Sequence, residues 1–163
     1  MKKNLVIFFL GAAALIVLDQ ITKSAITSRF VLHEVYPVIP GFFNLVYVMN
    51  PGAAFGFLAS AGETFRYFFF TGITSAAILL IIYYLVKTNP RSLMLVASLT
   101  LIFGGAVGNL IDRLRYGAVV DFLDVYIGTA HWPAFNVADS AITCGAILMI
   151  WEMIANRKDK PAE

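Results

Sequence analysis

Charged side chains are scarce in this chain of 163 residues. Only 13% of the residues are Asp, Glu, Lys or Arg, whereas 60% are hydrophobic. A water-soluble domain of this size cannot hide so much apolar surface. The formal net charge is only +2 and the basic residues are scattered, so no basic patch for nucleic acid is indicated. We therefore expect an integral membrane protein without a nucleic-acid partner.

Several signatures of hydrolase chemistry are also missing. Cys144 is the only cysteine, which excludes an intrachain disulfide, and its apolar neighbours predict a small buried hydrophobic residue. The only histidines, His33 and His131, lie between the apolar runs and are expected at the surface or the membrane interface. The chain has neither a His-Glu-x-x-His zinc motif nor a Gly-x-Ser-x-Gly elbow. Thiol, zinc and serine hydrolase sites are therefore not indicated.

Long apolar runs dominate what is present. Four runs can cross a bilayer core of about 30 Å as helices, and the predicted spans cover about residues 4–23, 67–87, 92–112 and 137–155. The first run imitates a secretory signal, but it continues through apolar residues into DQITK, so we expect an uncleaved anchor. The whole chain, residues 1–163, is expected to form one membrane domain that is mainly α-helical.

Basic residues collect on one side of these spans. Lysines precede the first span, Lys87 and Arg91 flank the loop between the second and third, and three basic residues follow the fourth. The positive-inside rule places these segments, and both termini, in the cytoplasm. The first outer connection is rich in β-branched and aromatic residues, with proline and glycine between them. Over about residues 30–60 it predicts two or three short strands, which form a small sheet or cradle on the membrane surface.

Unusual polar residues lie near the outer ends of the spans. They fall in the segments DQITK, NPGAAF, GGAVGNLIDR, VVDF and FNVADS. Single members have local explanations: Asp19 can pair with Lys23 one turn later, and Asn136 can cap a helix whose first turn contains Asp139. As a group they need shared partners, because a charge at mid-membrane costs on the order of 2.5–3.5 kcal/mol. A site inside the bundle is therefore expected.

Asp121 and Asp139 are the carboxylates best suited to chemistry. Gly128 and Pro133 lie between them and permit a chain reversal, so the two can approach each other. Facing carboxylates in a poorly hydrated site share one proton near neutral pH, so one takes a proton from water while the other donates to a carbonyl oxygen. This pattern predicts an aspartic peptidase. A proton-coupled transporter or channel, or a structural membrane protein, stays an alternative, although a transport path should have polar residues across the whole membrane.

The five segments, in this order, resemble those of the lipoprotein signal peptidase family, signal peptidase II, over about residues 4–155. The resemblance implies that Asp121 and Asp139 form the catalytic pair. It also implies a group of residues that shape the site or hold the substrate: Asp19, Lys23, Asn50, Gly52, Asn109, Arg113, Asn136 and Ala138.

The resemblance further implies a substrate and a setting. The substrate would be a bacterial prolipoprotein that carries a diacylglyceryl group on a cysteine, and the cut would fall just before that cysteine. The enzyme would act in the bacterial inner (cytoplasmic) membrane, with its site near the outer face and no metal or organic cofactor. A monomer is expected because the four helices and the outer sheet could enclose one site. Membrane lipids and globomycin-type cyclic peptide inhibitors are the other expected partners.

Two roles stay open from the sequence. Arg113 either contacts the substrate or braces the loop by pairing with Asp112 or Asp124. The glycines at positions 104, 105 and 108 permit close approach, either of another helix or of a ligand.

Overall fold

The computed structural model describes residues 2–52, 58, 61–88, 90 and 92–158. Within these residues the chain forms four long helices and four strands. The helices are α1 (Lys2–Arg29), α2 (Glu63–Thr88), α3 (Leu93–Tyr116) and α4 (Val137–Lys158). The strands are β1 (Val35–Ile39), β2 (Phe43–Asn50), β3 (Val119–Ile127) and β4 (Ala130–His131). Each helix contains a stretch long and apolar enough to cross a membrane, which confirms the predicted four-helix membrane fold.

Helix α3 is the centre of the bundle. It packs against each of the other three helices, whereas α2 has extensive contacts only with α3 among the described elements. Capping fixes both ends of α3: Ser92 Oγ accepts from the backbone N–H of Leu95, and Gly117 adopts a left-handed conformation in which its N–H donates to the Arg113 carbonyl. The glycine places the end of α3 at Tyr116, four residues beyond the predicted boundary.

Helix α1 also extends past its predicted end, from about residue 23 to Arg29. The polar turn at Asp19 and Lys23 does not end the helix, because both side chains are buried and paired with each other.

The two ends of the bundle differ in the side chains that they bury. Connections through the strands join the helices at one end, which we call the sheet end, and the buried cluster at the opposite end is apolar: Phe8, Leu85, Val96 and Leu99.

The sheet is antiparallel, with the order β1-β2-β3-β4. Two of its strands come from the connection between α1 and α2, as predicted, but β3 and β4 come from the connection between α3 and α4. The sheet is therefore not confined to about residues 30–60. Pairing of β2 with β3 sets Val48 opposite Asp121 and Asn50 opposite Val119. This register brings Asn50 into the neighbourhood of Asp121.

Strand β1 has every side chain exposed, including Val35, Tyr36, Val38 and Ile39. Trp132 and Tyr116 are exposed as well. Some predicted features lie outside the described residues: Ala53 to Phe55 of the NPGAAF segment, and the basic residues Arg91 and Lys160.

Candidate active site

The start of α4 holds the first carboxylate. The side-chain oxygen of Asn136 accepts from the backbone N–H of Asp139 at 2.9 Å, and the backbone N–H of Asn136 donates to Asp139 Oδ2 at 3.3 Å. This reciprocal arrangement is a capping box, as the FNVADS segment suggests. The cap leaves Asp139 Oδ1 free for another donor, so capping and a role in the site are compatible.

The second carboxylate, Asp121, lies on β3 and is 2% exposed. Both of its oxygens accept hydrogen bonds from amides. Asn50 Nδ2 donates to Oδ2 at 2.9 Å, and Asn136 Nδ2 donates to Oδ1 at 2.7 Å. Asn136 therefore contacts both carboxylates, one through its amide nitrogen and the other through the cap.

Asn109, on α3, completes the set of amides. Its Nδ2 donates to Asp139 Oδ1 at 2.7 Å. Its Oδ1 accepts from Lys23 Nζ at 2.9 Å and from Asn136 Nδ2 at 3.2 Å. The structure thus brings Asp121 and Asp139, the predicted pair, into one hydrogen-bond network whose members come from three helices and two strands.

A buried ion cluster lies behind Asn109. Lys23 Nζ is 2.8 Å from Asp19 Oδ2 and 2.8 Å from Asp112 Oδ2, and all three side chains are almost fully buried. The two acids also fasten neighbouring elements: Asp19 Oδ1 accepts from the backbone N–H of Ala138, and Asp112 Oδ2 accepts from that of Val120. The cluster therefore ties α1 and α3 to the starts of α4 and β3.

Small residues allow this close packing. Ala138 is fully buried, and a Cβ at Gly108 would lie 2.5 Å from Asp19 Oδ2. A Cβ at Gly105 would collide with the Ala138 carbonyl, and one at Gly104 with Leu15. All three glycines serve helix packing at positions where a side chain would meet a neighbouring helix, which answers the open question about them.

Arg113 has neither of the acidic partners considered from the sequence. Asp112 pairs with Lys23, while Asp124 accepts from Asn44 at 2.8 Å and lies 2.8 Å from His131 Nδ1. Arg113 instead has a long contact of 3.4 Å from Nη2 to the Gly52 carbonyl, and its guanidinium lies 5.7 Å from the centre of the Phe70 ring. Its Nε is buried without a hydrogen-bond partner among the described residues. The guanidinium thus keeps donor capacity beside the carboxylates.

A cavity of about 690 Å³ lies in front of the two carboxylates. Its polar wall contains Asn50, Gly52, Asn109, Arg113, Asp121 and Asp139, and its apolar walls come from α2, α3, α4 and the segment 132–135. Cys144 also lines this cavity and is exposed, so the expectation of a buried cysteine was wrong.

Burial sets the electrostatics of Asp121. It raises the pKa of the Asp121 carboxyl to about 7, and the negative charge of Asp139 adds to the effect. The hydrogen bonds from Asn50 and Asn136 and the charge of Lys23 act in the opposite direction. A carboxyl with this pKa holds a proton for much of the time at neutral pH. The site can therefore present one acid and one base together.

Two contributors to the network were missed from the sequence. Gln20 Nε2 donates to Asp112 Oδ1 at 3.0 Å and to the Gly108 carbonyl at 3.2 Å. Asp112 was considered as a partner of Arg113, whereas it is 1% exposed and binds Lys23. Its position, one turn after Gly108 on the face that meets α1, was the available signal.

Among the described residues, no group of three or more His, Cys, Asp or Glu side chains is arranged to hold a metal ion.

Comparisons with known proteins agree on one family. Residues 11–155 match the family model described as "Signal peptidase (SPase) II". A lipoprotein signal peptidase of Syntrophus aciditrophicus (strain SB) is 53% identical over 160 residues, which are 98% of this chain and 99% of the relative. One of Janthinobacterium sp. (strain Marseille) is 55% identical over 86% of this chain and 84% of the relative. A solved structure, described as a bacterial membrane enzyme, aligns with a TM-score of 0.83 and 36% identity, covering 96% of this chain and 93% of the other.

Proposed function

The chain belongs to the signal peptidase II family of bacterial membrane peptidases, and we propose that it is an aspartic endopeptidase that removes signal peptides from prolipoproteins. The observation that carries the proposal is the pair of carboxylates, Asp121 and Asp139, on the wall of one cavity, joined through Asn136. We propose further that the substrate carries a diacylglyceryl group on a cysteine and is cut just before it.

The proposed reaction uses one shared proton. One carboxylate is ionised and takes a proton from a water molecule, which attacks the scissile carbonyl carbon. The other is protonated and transfers its proton to the carbonyl oxygen as negative charge develops there, which gives a tetrahedral gem-diol. As the C–N bond breaks, the first carboxyl passes the proton that it took from water to the leaving amine, and the second recovers a proton from one hydroxyl of the gem-diol. The raised pKa of Asp121 supports this division, because it keeps a proton on the pair near neutral pH.

The cavity supports binding of a lipid-bearing peptide. Its walls beyond the carboxylates are mostly apolar, with Ile73 and Ala77 on α2, Ile102 on α3 and Ile142 on α4. We propose that this side receives apolar parts of the substrate from the bilayer. Arg113 lies at the polar wall with unused donor capacity, which suits a substrate carbonyl oxygen.

The distribution of buried residues disfavours the transport alternative. The buried polar network lies at the sheet end of the bundle, whereas Phe8, Leu85, Val96 and Leu99 pack together at the opposite end. Among the described residues, Glu152 is the single buried charged side chain near that opposite end, and no continuous chain of buried charges joins it to the network. A proton path needs polar groups or water across the whole membrane.

We also propose the orientation and the partners in the membrane. Basic residues flank the end opposite the sheet, which favours a cytoplasmic location for that end and for both termini. The carboxylates then lie near the outer face, and the exposed apolar side chains of β1 lie on the lipid surface. Globomycin-type cyclic peptides are proposed to compete with the substrate for the cavity. A monomer suffices, because every member of the network comes from one chain.

Cleavage of matched substrates tests the proposal. The purified chain in detergent is incubated with a diacylglyceryl-modified prolipoprotein and with the same prolipoprotein lacking the lipid, and the new N-terminus is sequenced. We expect cleavage only of the lipidated form, with modified cysteine as the first residue of the product. Equal cleavage of both forms would refute the proposed substrate class, and no cleavage of either would refute the proposed activity.

A further inference from the structure

The three asparagines of the site share one constraint. An amide group can rotate by half a turn and exchange its donor and acceptor ends, so each side chain needs a partner that fixes its oxygen. For Asn50 that partner is the backbone N–H of Gly52, at 3.0 Å. For Asn136 it is the backbone N–H of Asp139, at 2.9 Å. Backbone donors therefore direct both nitrogens towards carboxylate oxygens.

Among the described residues, Asn109 has no such backbone donor. Its oxygen accepts from two side chains, the Lys23 ammonium at 2.9 Å and the Asn136 amide at 3.2 Å. The Asn136 nitrogen is also shared with Asp121 Oδ1 and the Val120 carbonyl, so it is the weaker of the two. The charged donor, Lys23, therefore dominates the orientation of Asn109.

Rotation of Asn109 would have a direct effect on the carboxylate. Its Nδ2 now lies 2.7 Å from Asp139 Oδ1. After a half turn, a carbonyl oxygen would face that carboxylate, and an NH₂ group would face the ammonium. Both contacts would be repulsive, so Lys23 and Asp139 together define one orientation.

Lys23 itself is held firmly and has no access to substrate. Its three N–H groups have three acceptors, Asp19, Asp112 and Asn109, and the side chain is only 3% exposed. Asn109 lines the cavity, whereas Lys23 does not. Any effect of Lys23 on turnover must therefore pass through a neighbour.

We propose that Lys23 is a positioning residue that acts through Asn109, fixing the amide so that its nitrogen donates to Asp139 in the reacting state. The inference rests on the proposed function, because it concerns the rate of the same hydrolysis. In this role the Lys23 ammonium does more than neutralise the buried carboxylates of Asp19 and Asp112. It also orients the side-chain amide of Asn109.

Removing Lys23 alone would leave Asp19 and Asp112 buried without their cation, which threatens folding. Every protein in the test therefore carries Asp112→Asn. In this background Lys23→Met leaves one buried acid, Asp19, without its cation instead of two. Four proteins are compared: the background, the background with Lys23→Met, with Asn109→Ala, and with both. Ser24→Ala serves as a control at the next, exposed position of α1. Thermal unfolding in detergent accompanies each kinetic measurement.

Cleavage of diacylglyceryl-modified prolipoprotein is then measured as kcat and KM separately. We expect Lys23→Met to lower kcat by roughly 10- to 100-fold, the loss typical of a hydrogen bond to a charged group, with KM within about twofold. In the protein that also carries Asn109→Ala, Lys23→Met should change kcat by less than about twofold, because the amide that Lys23 positions is absent. Ser24→Ala should behave as the parent protein.

Each other outcome would overturn the inference. Equal losses from Lys23→Met with and without Asn109 would show that Lys23 supports the structure alone, and would leave the proposed function standing. A loss confined to KM would show a binding role. If the unmodified chain cleaved no lipidated substrate, the proposed function and the inference would both be wrong.

Discussion

Asn136 donates from its side-chain amide to Asp121 Oδ1 at 2.7 Å while its own oxygen caps the helix that carries Asp139. One residue thus joins a strand carboxylate to a helix carboxylate. The separation of the two acids is set by secondary structure on both sides, because β3 fixes one and the first turn of α4 fixes the other. Packing of the strand and the helix therefore holds both carboxyl groups in one network.

Replacing either member of the pair should abolish turnover. In the proposed reaction each carboxyl transfers a proton, so Asp121→Asn and Asp139→Asn should each lower kcat by about 10²- to 10⁴-fold or below detection. Asp124→Asn is a matched control on the same strand, since its carboxylate binds Asn44 and His131 away from the pair. Cleavage assays and thermal unfolding should show an active control and folded, inactive variants. Near-normal turnover in either variant of the pair would contradict the assignment.

The pH dependence should show an alkaline limb near neutrality. Asp121 has a pKa of about 7, because burial and the charge of Asp139 disfavour its ionised form. As the pH rises through this value the pair loses its shared proton, and kcat/KM should fall by about tenfold per pH unit. The proton also stabilises the fold below the pKa, so the free energy of unfolding contributed by Asp121 should decrease as the pH rises from about 4 to 7. A rate that stays flat to pH 9 would contradict the shared proton.

Removing the side-chain amide of Asn50 should shift the alkaline limb of the pH profile. Asn50 donates to Asp121 Oδ2 at 2.9 Å, and this bond lowers the pKa of Asp121 because it stabilises the carboxylate. In Asn50→Ala the pKa of Asp121 should rise, so the alkaline limb should shift to higher pH as the maximal rate falls. Asn44→Ala, which removes a donor to Asp124 only, should leave the limb in place. The pH profile of kcat/KM for the two variants distinguishes these outcomes.

Local features of the site were predictable, and the contacts between elements were not. The spacing of Asp19 and Lys23 predicts their pair, and the order of Asn136 and Asp139 predicts the cap; both are confirmed. These interactions lie within one helix or at its end, where sequence distance fixes spatial distance.

The remaining contacts depend on tertiary structure. Asn50 reaches Asp121 because β2 pairs with β3, two strands from different connections, and a shift of register lies between Leu45 and Val48. Nothing in either segment fixes that register by itself. Gln20 gave no signal either, because its two shorter hydrogen bonds go to Gly108 and Asp112 on α3. Lys23 was expected to have one acidic partner, whereas the packing of α1 on α3 gives it a second.

Close packing of α3 on α4 should tolerate no added methyl group at Gly105. A Cβ there would collide with the Ala138 carbonyl and lie close to Ile142, and the backbone atom cannot move aside. Gly105→Ala should therefore destabilise the protein by about 1–3 kcal/mol and lower the melting temperature in detergent. Gly72→Ala, within α2, has nothing within 4 Å of the added atom, so its melting temperature should equal or exceed that of the parent protein, because alanine favours the helix more than glycine does. Equal melting temperatures for the two variants would contradict the close helix contact.

Narrowing the apolar side of the cavity should impair use of lipidated substrate without affecting the carboxylates. Ala77 lines the cavity from α2, whereas the neighbouring Ala76 is exposed and does not line it. Ala77→Phe fills space between α2 and α4, so kcat/KM for diacylglyceryl-modified prolipoprotein should fall by roughly tenfold or more, chiefly through KM. Ala76→Phe adds the same side chain on a face that a bilayer would cover and should retain parent kinetics. The alkaline limb of the pH profile should stay at the same pH in both variants, because neither change reaches Asp121. Equal kinetics for the two variants would show that substrate does not occupy this part of the cavity, and would direct the search for its path to the opposite wall, near Trp132 and Pro133.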